Sequence, residues 1–160
     1  MEDNSIEVSS TIKSATSSSK DAVMKNEPCP FCAIVSNHLK AQVIFDWENT
    51  MAILDHRPIA EGHCLVIPKL HLVDVTDIPT LLGGEIQALI STVVKSQRAA
   101  LGTPGAMVMN NNVVSQHVKH FHAHVIPRRI GDGISILAKN RPRQGTAHLE
   151  EVSTKLRSQI

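Results

Sequence analysis

At 160 residues with a hydrophobic share of 42%, the chain has material for one packed domain, and its composition excludes disorder throughout. Three Phe, one Trp and no Tyr leave the core to aliphatic residues, and a formal charge of +1 supplies no field for gripping long nucleic acid. Three cysteines do not make a disulfide framework; they suit a reducing compartment.

The chain opens on Met1-Glu2-Asp3-Asn4, acidic residues that lead into no apolar run, so a secretory or mitochondrial leader is not expected. Nothing later approaches the roughly 18–20 apolar residues of a membrane span. Cytoplasm is the default expectation. Residues 1–27 are rich in Ser, Thr, Lys, Asp and Asn and read as a flexible tail, with 28–160 as a single domain. The tail could also order on a partner surface.

From Cys29 onward the pattern is α+β. A short helix is expected over Phe31–Ser36, then strands over Gln42–Asp46 and Met51–Leu54 joined as a hairpin across Glu48-Asn49. A third strand, His63–Ile67, is introduced by Gly62 and closed by Pro68. Asp77-Ile78-Pro79 opens a long helix with Leu82, Ile86, Leu89, Ile90, Val93 and Ala100 at helical spacing, stopped by Gly102. Strands over Ala106–Met109 and Val118–Ile126 follow. Residues 128–145 read as loop, and Ala147–Ser158 as a final amphipathic helix with Leu149, Val152 and Leu156 inward. Consecutive strands with helices set apart predict an antiparallel sheet of about five strands with the long helix and short helices packed on it.

The most informative stretch runs Gln116-His117-Val118-Lys119-His120-Phe121-His122-Ala123-His124-Val125-Ile126-Pro127-Arg128. Period-two alternation puts His120, His122 and His124 on one side of a strand at intervals of roughly 6.5–7 Å, with Phe121, Ala123 and Val125 facing the core. Three imidazoles on a strand backed by core are costly unless paired or functional. Solvated surface histidines and a catalytic His-x-His metal site are alternatives, though no carboxylate lies near enough in the motif to complete a facial triad.

His120-Phe121-His122-Ala123-His124-Val125-Ile126 resembles the signature of the histidine-triad family. So does Leu54-Asp55-His56-Arg57-Pro58 followed by Gly62-His63-Cys64-Leu65-Val66-Ile67-Pro68-Lys69-Leu70-His71. The resemblance covers about Cys29 to Arg129. It implies a nucleotide hydrolase or transferase acting on phosphoramidates, dinucleoside polyphosphates or nucleotide sugars. His122 would attack the α-phosphorus to give a nucleotidyl-histidine, and His124 would contact phosphate and leaving group and help donate a proton. Phosphate contacts fall to Asn110, Ser115, Gln116 and His124, although this loop has Asn112 and Ser115 where relatives place Gly; an Asn-rich turn without a ligand is the alternative. Asp55 would hold the ribose hydroxyls, or cap a turn. Phe31, Ile34 and Phe45 are candidates for the base pocket, or core residues.

Cys29-x-x-Cys32 alone is a weak metal signal. The resemblance supplies two further ligands, His71 and His120, and implies one structural zinc per chain in a closed Cys₂His₂ set. Cys64, inside a strand pattern, reads as packing. The resemblance also implies a purine nucleotide or nucleotide conjugate as ligand and a homodimer built through the long helix and sheet. Arg128, Arg129, Lys139, Arg141 and Arg143 would neutralise distal phosphates or form a solvated basic loop. Two other readings stand beside the enzyme: a nucleotide-binding signalling module with little turnover, and the same fold recruited to a non-standard substrate.

Overall fold

The structure, a computed structural model, describes residues 29–135 and 146–157. The expected tail and Lys139, Arg141 and Arg143 lie outside them. Helix α1 (Pro30–Val35) opens with Pro at its first position, where no N–H is needed. Strands β1 (Val43–Asp46), β2 (Thr50–Leu54) and β3 (Cys64–Pro68) follow as an antiparallel meander. After a 3₁₀ turn (Val75–Asp77), α2 (Thr80–Leu101) ends on Gly102 in the left-handed region, φ 60°. Then come β4 (Gly105–Met109), β5 (Ala123–Arg128) and α3 (Thr146–Arg157).

The sheet order is β1-β2-β3-β5-β4, antiparallel throughout. Its two faces differ. One buries Ala52, Cys64, Val66, Ala123 and Val125 under Ile86, Leu89, Ile90 and Val93 of α2, an aliphatic core as the composition requires. The other buries Met51, Ile53, Leu65 and Ile67 under Phe31 and Ile34 of α1. Gln97, rather than Ala100, extends the buried stripe of α2; its amide donates to the carbonyls of Gly62 (2.9 Å) and Val125 (3.0 Å). Ala100 is exposed. Glu85 ties the helix to the β1–β2 turn, accepting from Asn49 and Thr50, and these bonds hold its carboxyl below the usual range.

Three expectations need correction. The last strand begins at Ala123, not Val118, because the preceding segment turns: His120 N–H donates to Val118 (2.8 Å) and Phe121 N–H to Leu72 (2.6 Å), not to a neighbouring strand. Leu156 of α3 is 65% exposed rather than inward. Phe45 pairs with Ala52 and packs against the α2 face, so it lies across the sheet from Phe31 and Ile34 and shares no pocket with them.

Candidate active site and metal centre

The register sets the histidines opposite α2. His124 pairs with Leu65, which belongs to the α1 face, while Ala123 and Val125 pair with Val66 and Cys64 of the α2 face. His120 and His122 continue that alternation although they precede the strand, and both are buried, at 0% and 6% exposure. Phe31 meets the two rings edge-on, with centroids 5.6 and 5.2 Å away. The His122 and His124 rings are 5.0 Å apart.

Backbone partners decide where each imidazole carries its hydrogen. A carbonyl only accepts, so His122 Nδ1–H donates to the carbonyl of His120 (2.8 Å), and the lone pair of His122 sits on Nε2. His120 Nε2–H donates to the carbonyl of Pro68 (2.9 Å), which turns its Nδ1 lone pair toward the cysteines. Asn110 braces this backbone from the side, its amide donating to the carbonyl of His122 (2.7 Å).

Cys29, Cys32, His71 and His120 converge so that one ligand atom from each lies within 4.8 Å of the others. Cys29 Sγ lies 3.4 Å and Cys32 Sγ 3.6 Å from His120 Nδ1, and Cys32 Sγ lies 3.2 Å from His71 Nδ1. A tetrahedral zinc with Zn–S of ~2.3 Å and Zn–N of ~2.05 Å needs S···N edges of about 3.6 Å. The donor set fits. His120 presents a lone pair while its other nitrogen is anchored to a carbonyl, the usual outer support of a ligating histidine.

On the other side of His122, Asp55, His63 and His124 also offer ligand atoms within 4.8 Å. These are wired differently. The Ile59 N–H donates to His63 Nδ1 (3.2 Å), so the His63 hydrogen is on Nε2, facing His124 Nδ1 at 3.0 Å. Between the two rings there is a hydrogen, not a lone pair for a cation. His124 in turn carries its own hydrogen on Nε2. Burial first, then the neighbouring His122 and His63, lower the His124 pKa to about 4, and burial lowers that of His63. The reading of the sequence gave His63 no role, although it stands in the Gly62-His63 pair of the second motif.

Other sequence candidates are placed as follows. Asp55 sits at the end of β2, its Oδ1 accepting from Arg57 N–H (2.8 Å) and its Oδ2 3.5 Å from His63 Nδ1. Gln116 is engaged at both ends of its amide, accepting from Val113 N–H and donating to the Val73 carbonyl, so it braces the loop. Ser115 is exposed on that loop at φ 61°. Arg128 is paired with Asp132, and Arg129 donates to the carbonyls that end α2.

The HIT domain model matches residues 36–131. The chain belongs to the histidine-triad family. This HIT domain is 37% identical over 111 residues to an uncharacterised HIT-like protein of Mycobacterium tuberculosis, covering 68% of this chain and 77% of the relative. It is 32% identical over 101 residues to the adenosine 5′-monophosphoramidase of Saccharomyces cerevisiae, covering 63% of each. Among solved structures, a zinc-bound histidine triad protein of Mycobacterium smegmatis superposes with a TM-score of 0.65 at 36% identity, over 83% of this chain and 98% of the other. The HIT fold of five antiparallel strands under one long helix is thus the fold of this chain. Among the described residues, no helix is long and apolar enough to cross a membrane.

Proposed function

We propose that this HIT domain cleaves an α-phosphate bond of a nucleoside phosphoramidate or dinucleoside polyphosphate through a nucleotidyl-His122 intermediate. One observation carries the reading: the His120 carbonyl fixes the His122 hydrogen on Nδ1, leaving Nε2 as a neutral nucleophile. A pure binding module needs no such arrangement. The similarity to an adenosine phosphoramidase supports the phosphoramidate class.

In this reading His122 Nε2 attacks phosphorus, the leaving group departs with a proton, and water then releases the nucleotide. His124 Nε2–H faces the reacting oxygens, and Ser115 contributes on the exposed loop, while Asn110 and Gln116 hold the frame. Asp55 takes the ribose hydroxyls through the carboxylate oxygen not engaged by Arg57. Zinc held by Cys29, Cys32, His71 and His120 supplies a structural cross-link when bound, tying α1 to the segment that aims His122. A second copy would cover the groove between α2 and the free edge of β4, lined by Ile78, Ile86, Ile90, Met109 and Phe121.

The test is His122→Asn. Turnover of an adenosine 5′-phosphoramidate should fall by about 10³-fold or more, with nucleotide binding retained. Wild-type protein quenched during turnover should carry one nucleoside monophosphate on His122 by mass spectrometry at neutral pH. Undiminished turnover in the variant, or turnover without the adduct, refutes the mechanism.

A further inference from the structure

Departure of an amine needs a full proton, yet His124 is neutral in the resting site, and a neutral imidazole that gives up its only N–H becomes an anion. The structure offers a source. His63 is 99% buried and lies between two groups: its Nε2 is 3.0 Å from His124 Nδ1, and its Nδ1 is 3.2 Å from the Ile59 nitrogen and 3.5 Å from Asp55 Oδ2. Nδ1 therefore has two partners that suit opposite protonation states. Without a hydrogen it accepts from Ile59; with one it faces the Asp55 carboxylate.

We propose that His63 is a proton relay between Asp55 and His124, delivering the leaving-group proton in the first step and retrieving a proton from water in the second. The proposal rests on the reading of His122 as nucleophile. A proton from solvent enters at His63 Nδ1 beside Asp55; the Nε2 hydrogen passes to His124 Nδ1, making His124 an imidazolium. As the bond from phosphorus to the leaving nitrogen or oxygen breaks, its electron pair takes the His124 Nε2 proton, and the new bond from phosphorus to His122 Nε2 is complete. His124 is now neutral with its lone pair on Nε2. In the second step that lone pair takes a proton from the attacking water as the P–N bond to His122 breaks. The Nδ1 proton of His124 returns to His63 Nε2, and His63 Nδ1 releases one to solvent. The cycle closes on the resting arrangement with no net proton gained. Among the described residues the groups facing His124 are His122, His63, Asp55 and His117, and only His63 hydrogen-bonds its Nδ1.

The role differs from mere positioning, and two measurements separate them. His63→Gln keeps an amide N–H where Nε2 stands, preserving the hydrogen bond to His124, but cannot pass a proton. In single-turnover experiments the Gln variant should slow amine release from an alkylamine adenosine phosphoramidate by about 10²–10⁴-fold. Release of p-nitrophenol from adenosine 5′-(p-nitrophenyl phosphate), which departs without a proton, should stay within about threefold in the same experiment. A Gln variant that retains the alkylamine rate, or one slowed equally on both substrates, overturns the relay. In ligand-free wild-type protein, ¹⁵N shifts of His63 and His124 should move together with one shared midpoint; two separate midpoints overturn the wiring. If wild type turns over neither substrate, the proposed function falls, and the shared titration alone decides the relay.

Discussion

His122 is flanked by two clusters, each built around a pair of histidines. On one side Cys29, Cys32, His71 and His120 bring lone pairs together; on the other a hydrogen lies between the rings of His63 and His124, beside Asp55. The first adds two thiols and the second one carboxylate, and the backbone orients the two pairs of rings differently. The Pro68 carbonyl accepts from His120 and so aims a lone pair inward, whereas the Ile59 N–H donates to His63 and so aims a hydrogen inward. One main-chain group of opposite polarity thus suits one cluster to a metal and the other to the proposed proton path. In the proposed function His122 sits between a part that should not move and a part that must change state.

The contrast can be broken most severely at the metal side. Cys29→Ser should reduce bound zinc, measured by elemental analysis, from one equivalent per chain to a small fraction. The aliphatic core under α2 needs no metal, so the loss should fall well short of the ~10–16 kcal/mol seen for peptides that fold only with zinc. A cost of about 3 kcal/mol, or about 10 °C in Tm, is expected. Full zinc content in the variant would remove Cys29 from the proposed metal set. The proton side should respond differently: His63→Gln should leave zinc content unchanged.

A smaller effect tests the outer end of the proton path. If Asp55 holds ribose, a 2′,3′-dideoxy substrate should lose about 10–100-fold in kcat/KM, the worth of hydrogen bonds to a charged group. Asp55→Asn should erase most of that discrimination. If the two losses simply add, Asp55 caps the Arg57 turn and does not touch the sugar.

Much of this was legible in the sequence because period-two alternation is a local property. Phe121, Ala123 and Val125 had to face one way and the three histidines the other, and they do. Gly102 had to end a helix, and it does, with the positive φ that Gly adopts at no steric cost. The misplaced start of the last strand and the misplaced Phe45 have the opposite cause. The turn at His120 is settled by a distant partner, Leu72, and the sheet face of Phe45 by a register shift between Val43 and Phe45 that sets it opposite Ala52. His63 escaped notice for the same reason: 61 residues separate it from His124, and neither the hydrogen bond nor the Ile59 donor that orients it leaves a mark on spacing.

Acid should test the burial of the His63–His124 pair. Burial depresses the pKa of His124 to about 4 and lowers that of His63, so between their unfolded value near 6.5 and about 4 the unfolded chain binds more protons than the native one. Stability therefore falls as pH drops through that window. His124→Asn should flatten the fall in Tm between pH 6.5 and 4, and an unchanged slope would assign the acid sensitivity elsewhere.

The smallest effect concerns the loop that joins the two sides. Val113 lies at φ 63° although a β-branched residue is strongly disfavoured there, and its side chain is 74% exposed. Nothing in its packing offsets that strain; what holds the backbone is the hydrogen bond from its N–H to Gln116, whose amide also reaches Val73. Val113→Asn keeps the N–H, removes the β-branch and suits the left-handed region, so it should stabilise by about 1 kcal/mol, raising Tm by roughly 2–4 °C. Gln116→Ala should reverse the gain, because the strain is then released by movement of the loop rather than by change of residue. If Val113→Asn leaves Tm unaltered while Gln116→Ala lowers it, the brace matters and the strain does not.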